Sequence, residues 1–303
     1  MKEINKLIIK AKKGNIKAIR KLAEKYYFGD QKKTNAAAII PKNSEEAVKW
    51  LKIGTSKGDM HCLDMLAYCY HMGDGVEQNN LEAKKYWELS AKKGSSAAQY
   101  NLGIFYENGW SVNKDTEKTL FYFNKNIKKN NSYKNVSLIG IARIYINGDG
   151  VKKNLKKGIK YYKLAAKRGN LRAIFELATM YDEEKSFERY EGIKKNPILS
   201  YKYNLLLSKK KFIVGDVRIA QVCLKNIKNG INIKKNRKMY LKHMTLASKN
   251  KNFDIVDQMG FPRDVSIAQK NALKSLYTKL KAISVSELMK LHLQLNKQRP
   301  NRD

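Results

Sequence analysis

The stretch YHMGDGVEQNNLEAKKYWELSAKKG, residues 70–94, returns 75 positions later as YINGDGVKKNLKKGIKYYKLAAKRG, residues 145–169, and twelve of the twenty-five positions are identical. Residues 106–130, which lie between the two copies, keep Gly109, Val112 and Asp115 at the equivalent places. The interval of 75 positions therefore spans two shorter periods. Self-similarity at a period of roughly 20–50 residues is typical of a solenoid, in which one small structural unit is stacked repeatedly.

The spacing between the polar residues that follow successive glycine turns gives the length of the repeat. The successive intervals between these residues are 36, 36, 39, 42 and 40 positions, which leaves room in each unit for two short helices and their connections. The residues are Asn43, Asn79, Asp115, Asn154, Asn196 and Asn236.

The first helix of each unit carries the pattern small-x-x-x-large-small-x-x-aromatic. In one unit the four residues are Cys62, Leu66, Ala67 and Tyr70. Steps of four, one and three place these residues on one helical face. The small residue in the middle allows the next helix to approach closely, and tyrosine fills the space beyond it. Gly73 and Gly148 supply a positive φ angle, which ends the helix and turns the chain.

The second helix of each unit is expected to begin at the polar residue of the period, because asparagine and aspartate are good N-caps. Glutamate follows Asn43 and Asn79 by three positions, which is the capping-box pattern. The same helix should end at a residue that tolerates the left-handed C-terminal cap. The four predicted caps are Gly58, Gly94, Asn130 and Gly169.

Composition limits the class of protein. With 303 residues and 43% hydrophobic content, the chain can bury a core as two globular domains or as one repeat array. Three cysteines do not make a disulfide framework, so a reducing compartment is expected. The first residues lack a signal-peptide core, and no apolar run approaches the ~18 residues of a membrane span. A cytoplasmic protein is predicted, and export would need a signal-independent route.

The repeated pattern A-x-x-x-L-G-x-x-Y-x-x-G-x-G-V-x-x-D/N-x-x-x-A-x-x-Y/W-x-x-x-A-x-x-G closely resembles the Sel-one-like repeat (SLR), a relative of the tetratricopeptide repeat. The resemblance is strong over residues 58–170 and fair over residues 15–58, where an insertion occupies residues 31–42. It is weak over residues 171–252, because the fifth unit lacks the G-x-G-V turn.

The predicted fold is an all-α, right-handed α-solenoid of about six helix-turn-helix repeats with a helical C-terminal cap. Residues 1–14 match a lone second helix, which makes them an N-terminal half-repeat cap. Residues 253–303 are expected to cover the apolar end of the last repeat, and a pair of partner-binding helices is the alternative. The solenoid covers residues 15–252, with repeats at 15–58, 59–94, 95–130, 131–169, 170–211 and 212–252.

The resemblance implies a function as well as a fold. In this family and its tetratricopeptide relatives, the uncovered faces of the first helices form a concave groove that binds a segment of another protein. The expected function is a non-enzymatic adaptor or scaffold, with bacterial signalling and host-interaction effectors among the roles that the family fills. Carried over residue by residue, the groove consists of Arg20, Glu24, Tyr27, His61, Asp64, Tyr68, His71, Tyr100, Ile104, Arg143, Arg172 and Phe175.

Positive charge suggests an alternative function. The formal net charge is +35, and residues 191–250 hold fifteen lysines and arginines against two acidic residues. Such a density can neutralise phosphates of nucleic acid or acidic lipid, although a solvated surface is the preferred explanation. The candidate anion-binding residues are Lys225, Lys228, Lys234, Lys235, Arg237 and Lys238.

Catalytic and metal-binding motifs are not predicted. Cys62 and Cys69 would lie ~10 Å apart along a helix, too far to share one zinc ion without further ligands. The repeated Gly-Asp-Gly turn lacks the lysine and the flanking strand of a phosphate-binding loop. Cysteine-rich members of the resembling family join the two helices of each unit by a disulfide, and this chain has no such pairs. No cofactor and no catalytic residue is therefore assigned.

Overall fold

The structure, a computed structural model, describes residues 2–29, 41–182 and 188–228, together with eight positions between 235 and 246. Every regular element in this described part is a helix. The predicted cap at residues 253–303 and most of the predicted insertion at residues 31–42 lie outside the described residues. The α-helices are α1 (Lys2–Lys12), α2 (Ile16–Phe28), α3 (Ser44–Ser56), α4 (Met60–Met72), α5 (Asn80–Lys92), α6 (Ser96–Asn108), α7 (Thr116–Ile127), α8 (Lys134–Asn147), α9 (Leu155–Lys167), α10 (Leu171–Met180), α11 (Pro197–Lys209) and α12 (Ile213–Lys228).

The chain divides into two compact units, the N-terminal unit Met1–Tyr161 and the C-terminal unit Tyr162–Asp303. In the N-terminal unit the pairs α2–α3, α4–α5 and α6–α7 pack most closely, and α3, α5 and α7 each pack in turn against the next first helix. In the C-terminal unit α11 packs against both α10 and α12. The predicted solenoid of stacked helix pairs is confirmed.

Five of the six polar residues of the period are the N-caps of the second helices, as predicted. The sixth, Asn236, is buried within a helical segment. In each of the five N-caps, the side-chain oxygen accepts a hydrogen bond from the backbone N–H three residues later, at 2.9–3.0 Å. These bonds satisfy N–H groups that a helix end otherwise leaves unpaired. The residues are Asn43, Asn79, Asp115, Asn154 and Asn196.

Three glycines end the first helices at equivalent bends. Gly73, Gly109 and Gly148 follow α4, α6 and α8, with left-handed φ angles of 71°, 70° and 82°. Because residues with a Cβ atom rarely adopt this conformation, glycine at these positions sets the turn between the two helices of each repeat.

The prediction of a left-handed cap at Asn130 is wrong. Among the described residues other than glycine, a positive φ angle occurs only at Ser111 and Lys211. The side chain of Asn131 makes the connection after α7 instead. Its Nδ2 donates to the carbonyl oxygen of Asn126 at 3.1 Å, and its Oδ1 accepts from the N–H of Tyr133 at 2.8 Å. These side-chain bonds turn the chain without a left-handed residue.

The small residues of the first-helix pattern allow close packing, as predicted. A Cβ atom added to Gly103 of α6 would lie 2.4 Å from the ring of Phe123, and one added to Gly140 of α8 would lie 2.5 Å from the same ring. Phe123 of α7 is fully buried. In four repeats the tyrosine beyond the small residue stacks on a tyrosine of the second helix, with ring planes within 10° of parallel. The pairs are Tyr70–Tyr86, Tyr106–Tyr122, Tyr145–Tyr161 and Tyr181–Tyr203.

Candidate binding surface on the first helices

The first helices of the N-terminal unit, α2, α4, α6 and α8, carry a row of equivalent residues on the side opposite their buried face. Each residue of this groove row lies six positions after the first small core residue of its helix. Tyr68, in the middle of the row, is 44% exposed. Ile104 is half-buried against the core cluster that contains Phe123. The complete groove row is Glu24, Tyr68, Ile104 and Arg143, so an apolar centre lies between two charged ends.

The charged ends of the groove row are bound to neighbouring helices. Glu24 Oε1 of α2 lies 2.8 Å from His61 Nε2 of α4. The Arg143 guanidinium of α8 forms an ion pair with the Glu107 carboxylate of α6. Both contacts join the first helices of successive repeats, and all four side chains keep some exposure to solvent.

A further ion pair joins α2 to the start of α4. Arg20 Nε lies 2.9 Å from both carboxylate oxygens of Asp59, which also caps α4 by accepting from the N–H of Cys62. Burial alone would raise the pKa of the Asp59 carboxyl. The hydrogen bonds from Arg20 and from the Cys62 N–H outweigh burial and hold that pKa below its ordinary value. Arg20 is therefore a link between helices.

Asp64 lies beside the start of the next first helix. Its Oδ2 accepts a hydrogen bond from the Ser95 hydroxyl at 2.6 Å, and Ser95 is the N-cap of α6. Burial raises the pKa of Asp64, although hydrogen bonds from Ser90 and Ser95 oppose the shift. The predicted groove residue Asp64 thus links α4 to α6.

Two predicted groove tyrosines are half-buried. The ring centre of Tyr100 lies 5.8 Å from that of Phe123 and 5.5 Å from that of Tyr133. Tyr27 packs against the core between α2 and α4, and burial raises its pKa, with a further contribution from its hydrogen bond to Asp74. Both rings are therefore packed against core residues, in contrast to the exposed Tyr68.

His71 is turned toward two tryptophans. Its Nδ1 lies 2.8 Å from Asn80 Oδ1, and its ring centre is 4.3 Å from that of Trp110 and 5.5 Å from that of Trp87. Sequence reasoning missed Trp110. Its position in the sequence could have identified it, because Trp110 stands at the turn position where the neighbouring repeats have aspartate.

The two predicted residues of the C-terminal unit lie on α10. Arg172 is half-buried. The Arg218 guanidinium of α12 lies 4.3 Å from the ring centre of Phe175 and donates a hydrogen bond to Thr179 Oγ1 at 3.0 Å. Burial lowers the pKa of Arg218 to about 10. Arg218 therefore covers one face of the Phe175 ring.

The predicted anion-binding stretch is largely outside the described residues. Lys235 and Lys238 are exposed. Lys225 and Lys228 belong to α12, but their side chains are not among those described, and Lys234 and Arg237 lie outside the described residues altogether.

A serine, an aspartate and a histidine meet in the C-terminal unit. Ser208 Oγ lies 2.6 Å and His243 Nδ1 lies 2.8 Å from the same oxygen, Asp216 Oδ1. A catalytic triad needs the histidine beside the serine hydroxyl, whereas here both groups contact the aspartate. Asp216 and His243 are buried. This arrangement satisfies buried polar groups and does not activate a nucleophile.

The cysteines are buried free thiols. Burial raises the pKa of Cys62 and of Cys69 to about 12, so neither is a thiolate near neutral pH. Within the part of the chain that the structure describes, no three His, Cys, Asp or Glu side chains are grouped so that they could hold a metal ion. The helices of the same part are all too short or too polar to cross a membrane.

Comparison with known proteins assigns the repeats. The Sel1 repeat matches residues 16–59, 61–95, 96–131 and 136–170. The ERAD-associated E3 ubiquitin-protein ligase component HRD3B of Arabidopsis thaliana is 31% identical over 106 residues, which are 35% of this chain and 15% of that protein. Putative sel1-like repeat-containing protein L21 of Acanthamoeba polyphaga mimivirus is 34% identical over 120 residues, which are 40% of this chain and 21% of that protein.

A solved structure supports the fold. The Sel1 repeat protein from Oxalobacter formigenes superposes with a TM-score of 0.58 at 19% identity, covering 78% of this chain and 88% of that one. The chain spans only about a fifth or less of the length of the two curated relatives. With four matched repeats and the glycine bends and N-caps in equivalent places, the chain belongs to the Sel1-repeat family.

Proposed function

We propose that this chain is a non-enzymatic adaptor that binds a segment of another protein across the first helices of its N-terminal unit. The groove row carries this proposal. Tyr68 is exposed at its apolar centre, while the Glu24–His61 contact and the Arg143–Glu107 ion pair lie on either side of that centre. An aromatic anchor surrounded by polar contacts is the usual composition of a binding hot spot.

The linked side chains support the proposal because they fix the surface before a partner arrives. Arg20–Asp59 and Asp64–Ser95 hold α2, α4 and the start of α6 together. A surface that is already ordered loses less conformational entropy on binding. The Arabidopsis relative is named as a component of a ligase assembly, which agrees with a role in protein association.

A peptide selection tests the proposal. Peptides would be selected from a random displayed library against the purified full chain, and the affinity of a selected peptide would be measured by fluorescence anisotropy. Tyr68→Ala should weaken binding at least about tenfold, since loss of an aromatic hot spot commonly costs more than ~2 kcal/mol.

Leu81→Ala is the matched control. Leu81 is 58% exposed in the first turn of α5, a second helix, so its truncation removes a similarly exposed apolar side chain from outside the groove row. Binding to this variant should be unchanged. The proposal fails if Leu81→Ala weakens binding as much as Tyr68→Ala, or if Tyr68→Ala has no effect while circular dichroism shows both variants folded.

The alternative of a nucleic-acid or anionic-surface protein has less support. Of its six candidate residues, only Lys235 and Lys238 have described side chains, and both are simply exposed. Charge reversal at Lys234, Lys235, Arg237 and Lys238 tests it. If the chain binds duplex DNA with a steep salt dependence and the reversal removes that binding, the alternative is supported.

A further inference from the structure

Lysine lies at or just after the C-terminal end of each second helix of the N-terminal unit. Lysine stands immediately before the glycine or asparagine that follows α1, α3, α5 and α7, and in three of the four places it is doubled. All seven lysines are exposed. This set will be called the lysine edge, and it comprises Lys12, Lys13, Lys57, Lys92, Lys93, Lys128 and Lys129.

The ammonium groups of the lysine edge occupy equivalent places in successive repeats. A Cβ atom added to Gly14 would lie 3.1 Å from Lys57 Nζ, and one added to Gly58 would lie 3.3 Å from Lys93 Nζ. Lys129 Nζ donates to the carbonyl oxygen of Gly94 at 3.2 Å. Lys57, Lys93 and Lys129 therefore each reach back to the end of the preceding second helix, so their charges form a row with one step per repeat.

Acidic side chains do not neutralise this row. The acidic residues nearest to the lysine edge along the chain are Asp59 and Glu88. Arg20 binds the Asp59 carboxylate, and Glu88 pairs with Lys84 at 3.7 Å. Among the described residues, the lysine edge enters no ion pair. The other acidic residues of the unit lie mainly at the turns and at the starts of second helices, including Glu45, Glu46, Asp74, Glu77, Glu82, Asp115, Glu117 and Asp149.

The spacing of the row favours a particular ligand. Lys57 Nζ lies beside Gly14, and Lys93 Nζ lies beside Gly58, the residue that follows Lys57. One step of the row is therefore about the reach of one lysine side chain plus one residue of backbone, roughly 10 Å. An extended peptide in the polyproline II conformation advances about 3.1 Å per residue with three residues per turn, which brings every third side chain to the same face at about 9 Å. Single-stranded nucleic acid is bound with aromatic residues that stack on the bases. The exposed aromatic residues Phe28, Tyr68 and Phe121 lie elsewhere on α2, α4 and α7.

We propose that the lysine edge binds an extended acidic segment of a partner protein, with an acidic residue at about every third position. The proposal rests on the proposed adaptor function but uses a surface separate from the groove row. It gives the chain two places of attachment, an apolar one on the first helices and an electrostatic one at the ends of the second helices.

Three synthetic probes test this proposal against the purified full chain. The first is a labelled peptide of five Glu-Ser-Gly triplets, the second has the same composition with its glutamates in one block, and the third is a labelled DNA duplex. Fluorescence anisotropy is measured at low and moderate salt, about 50 and 200 mM, because screening weakens such contacts. The spaced peptide should bind more tightly than the blocked peptide, and its affinity should fall with salt.

Charge reversal locates the binding. The triple variant K57E/K93E/K129E should bind the spaced peptide at least about tenfold more weakly. The control K114E/K152E/K153E makes the same change of charge at exposed turn lysines and should lose far less affinity. The K57Q/K93Q/K129Q variant removes the positive charges without adding negative ones, and it should also bind the spaced peptide more weakly. Weaker binding by this variant shows that the lost positive charge, and not a folding defect caused by the new glutamates, is the reason.

The remaining outcomes separate this inference from the proposed function. Tyr68→Ala should leave binding of the spaced peptide unchanged. If the two triple reversals weaken binding equally, or if the spaced peptide does not bind while the duplex binds through the lysine edge, the inference is overturned. That result would leave the groove row standing, because its own selected peptide is measured independently.

Discussion

At the scale of single residues, the packing around Phe123 is close on both sides of its ring. Its ring lies between Gly103 of α6 and Gly140 of α8, and neither position has room for a Cβ atom. The repeat pattern predicted a small residue at position 103. It did not predict that Gly140 closes the other side, because this depends on which residue of the following first helix faces the ring.

Replacing Gly103 with alanine should lower the free energy of unfolding by about 1–3 kcal/mol, since overpacking costs this much in a close-packed core. The loss should appear even though alanine is the better helix former by ~1 kcal/mol. Urea unfolding measures the change. In a Phe123→Leu background the cost of Gly103→Ala should shrink, and an unchanged cost would show that the ring is not the cause.

At the scale of helices, polar pairs join successive first helices. The sequence placed Arg20, Glu24, Asp64 and Arg143 on the open face of the repeats, and they do lie on the first helices. Their pairing with residues of adjacent helices could not be predicted, because it depends on the rotation and spacing of neighbouring helices. The N-caps of the second helices could be predicted, since a cap acts within three residues of its own helix.

The Arg20–Asp59 pair should make stability depend on pH. The pKa of Asp59 is lowered on folding, so its contribution is fully present above the unfolded value of about 3.9 and is lost as the pH falls through the folded pKa. Asp59→Asn, which keeps an N-capping side chain, should therefore destabilise the protein more at pH 7 than at pH 3.

Urea unfolding of both proteins at the two pH values measures this difference. In an Arg20→Gln background the cost of Asp59→Asn at pH 7 should decrease, because the partner of the carboxylate is already absent. Equal costs at pH 7 and pH 3 would mean that the ion pair does not contribute.

At the scale of the whole molecule, the chain carries a large positive charge, and the lysine edge repeats part of that charge from one repeat to the next. The net charge of +35 could be read from composition, but composition did not say where unneutralised lysines gather. In the N-terminal unit they gather at the ends of the second helices, whereas the turns hold both signs, as in the pairs Lys42–Asp74 and Lys118–Asp115. Because each second helix of the unit carries lysine at its end, stacking of the repeats places these lysines in a row.

The most direct test of the account is hydrogen–deuterium exchange of the full chain with and without the peptide selected in the Tyr68 experiment. If a protein segment binds across the first helices, the peptide should slow exchange in α4 and α6 around Tyr68 and Ile104, and leave the exposed sides of α5 and α7 unchanged. Slower exchange confined to α5 and α7 would contradict the account.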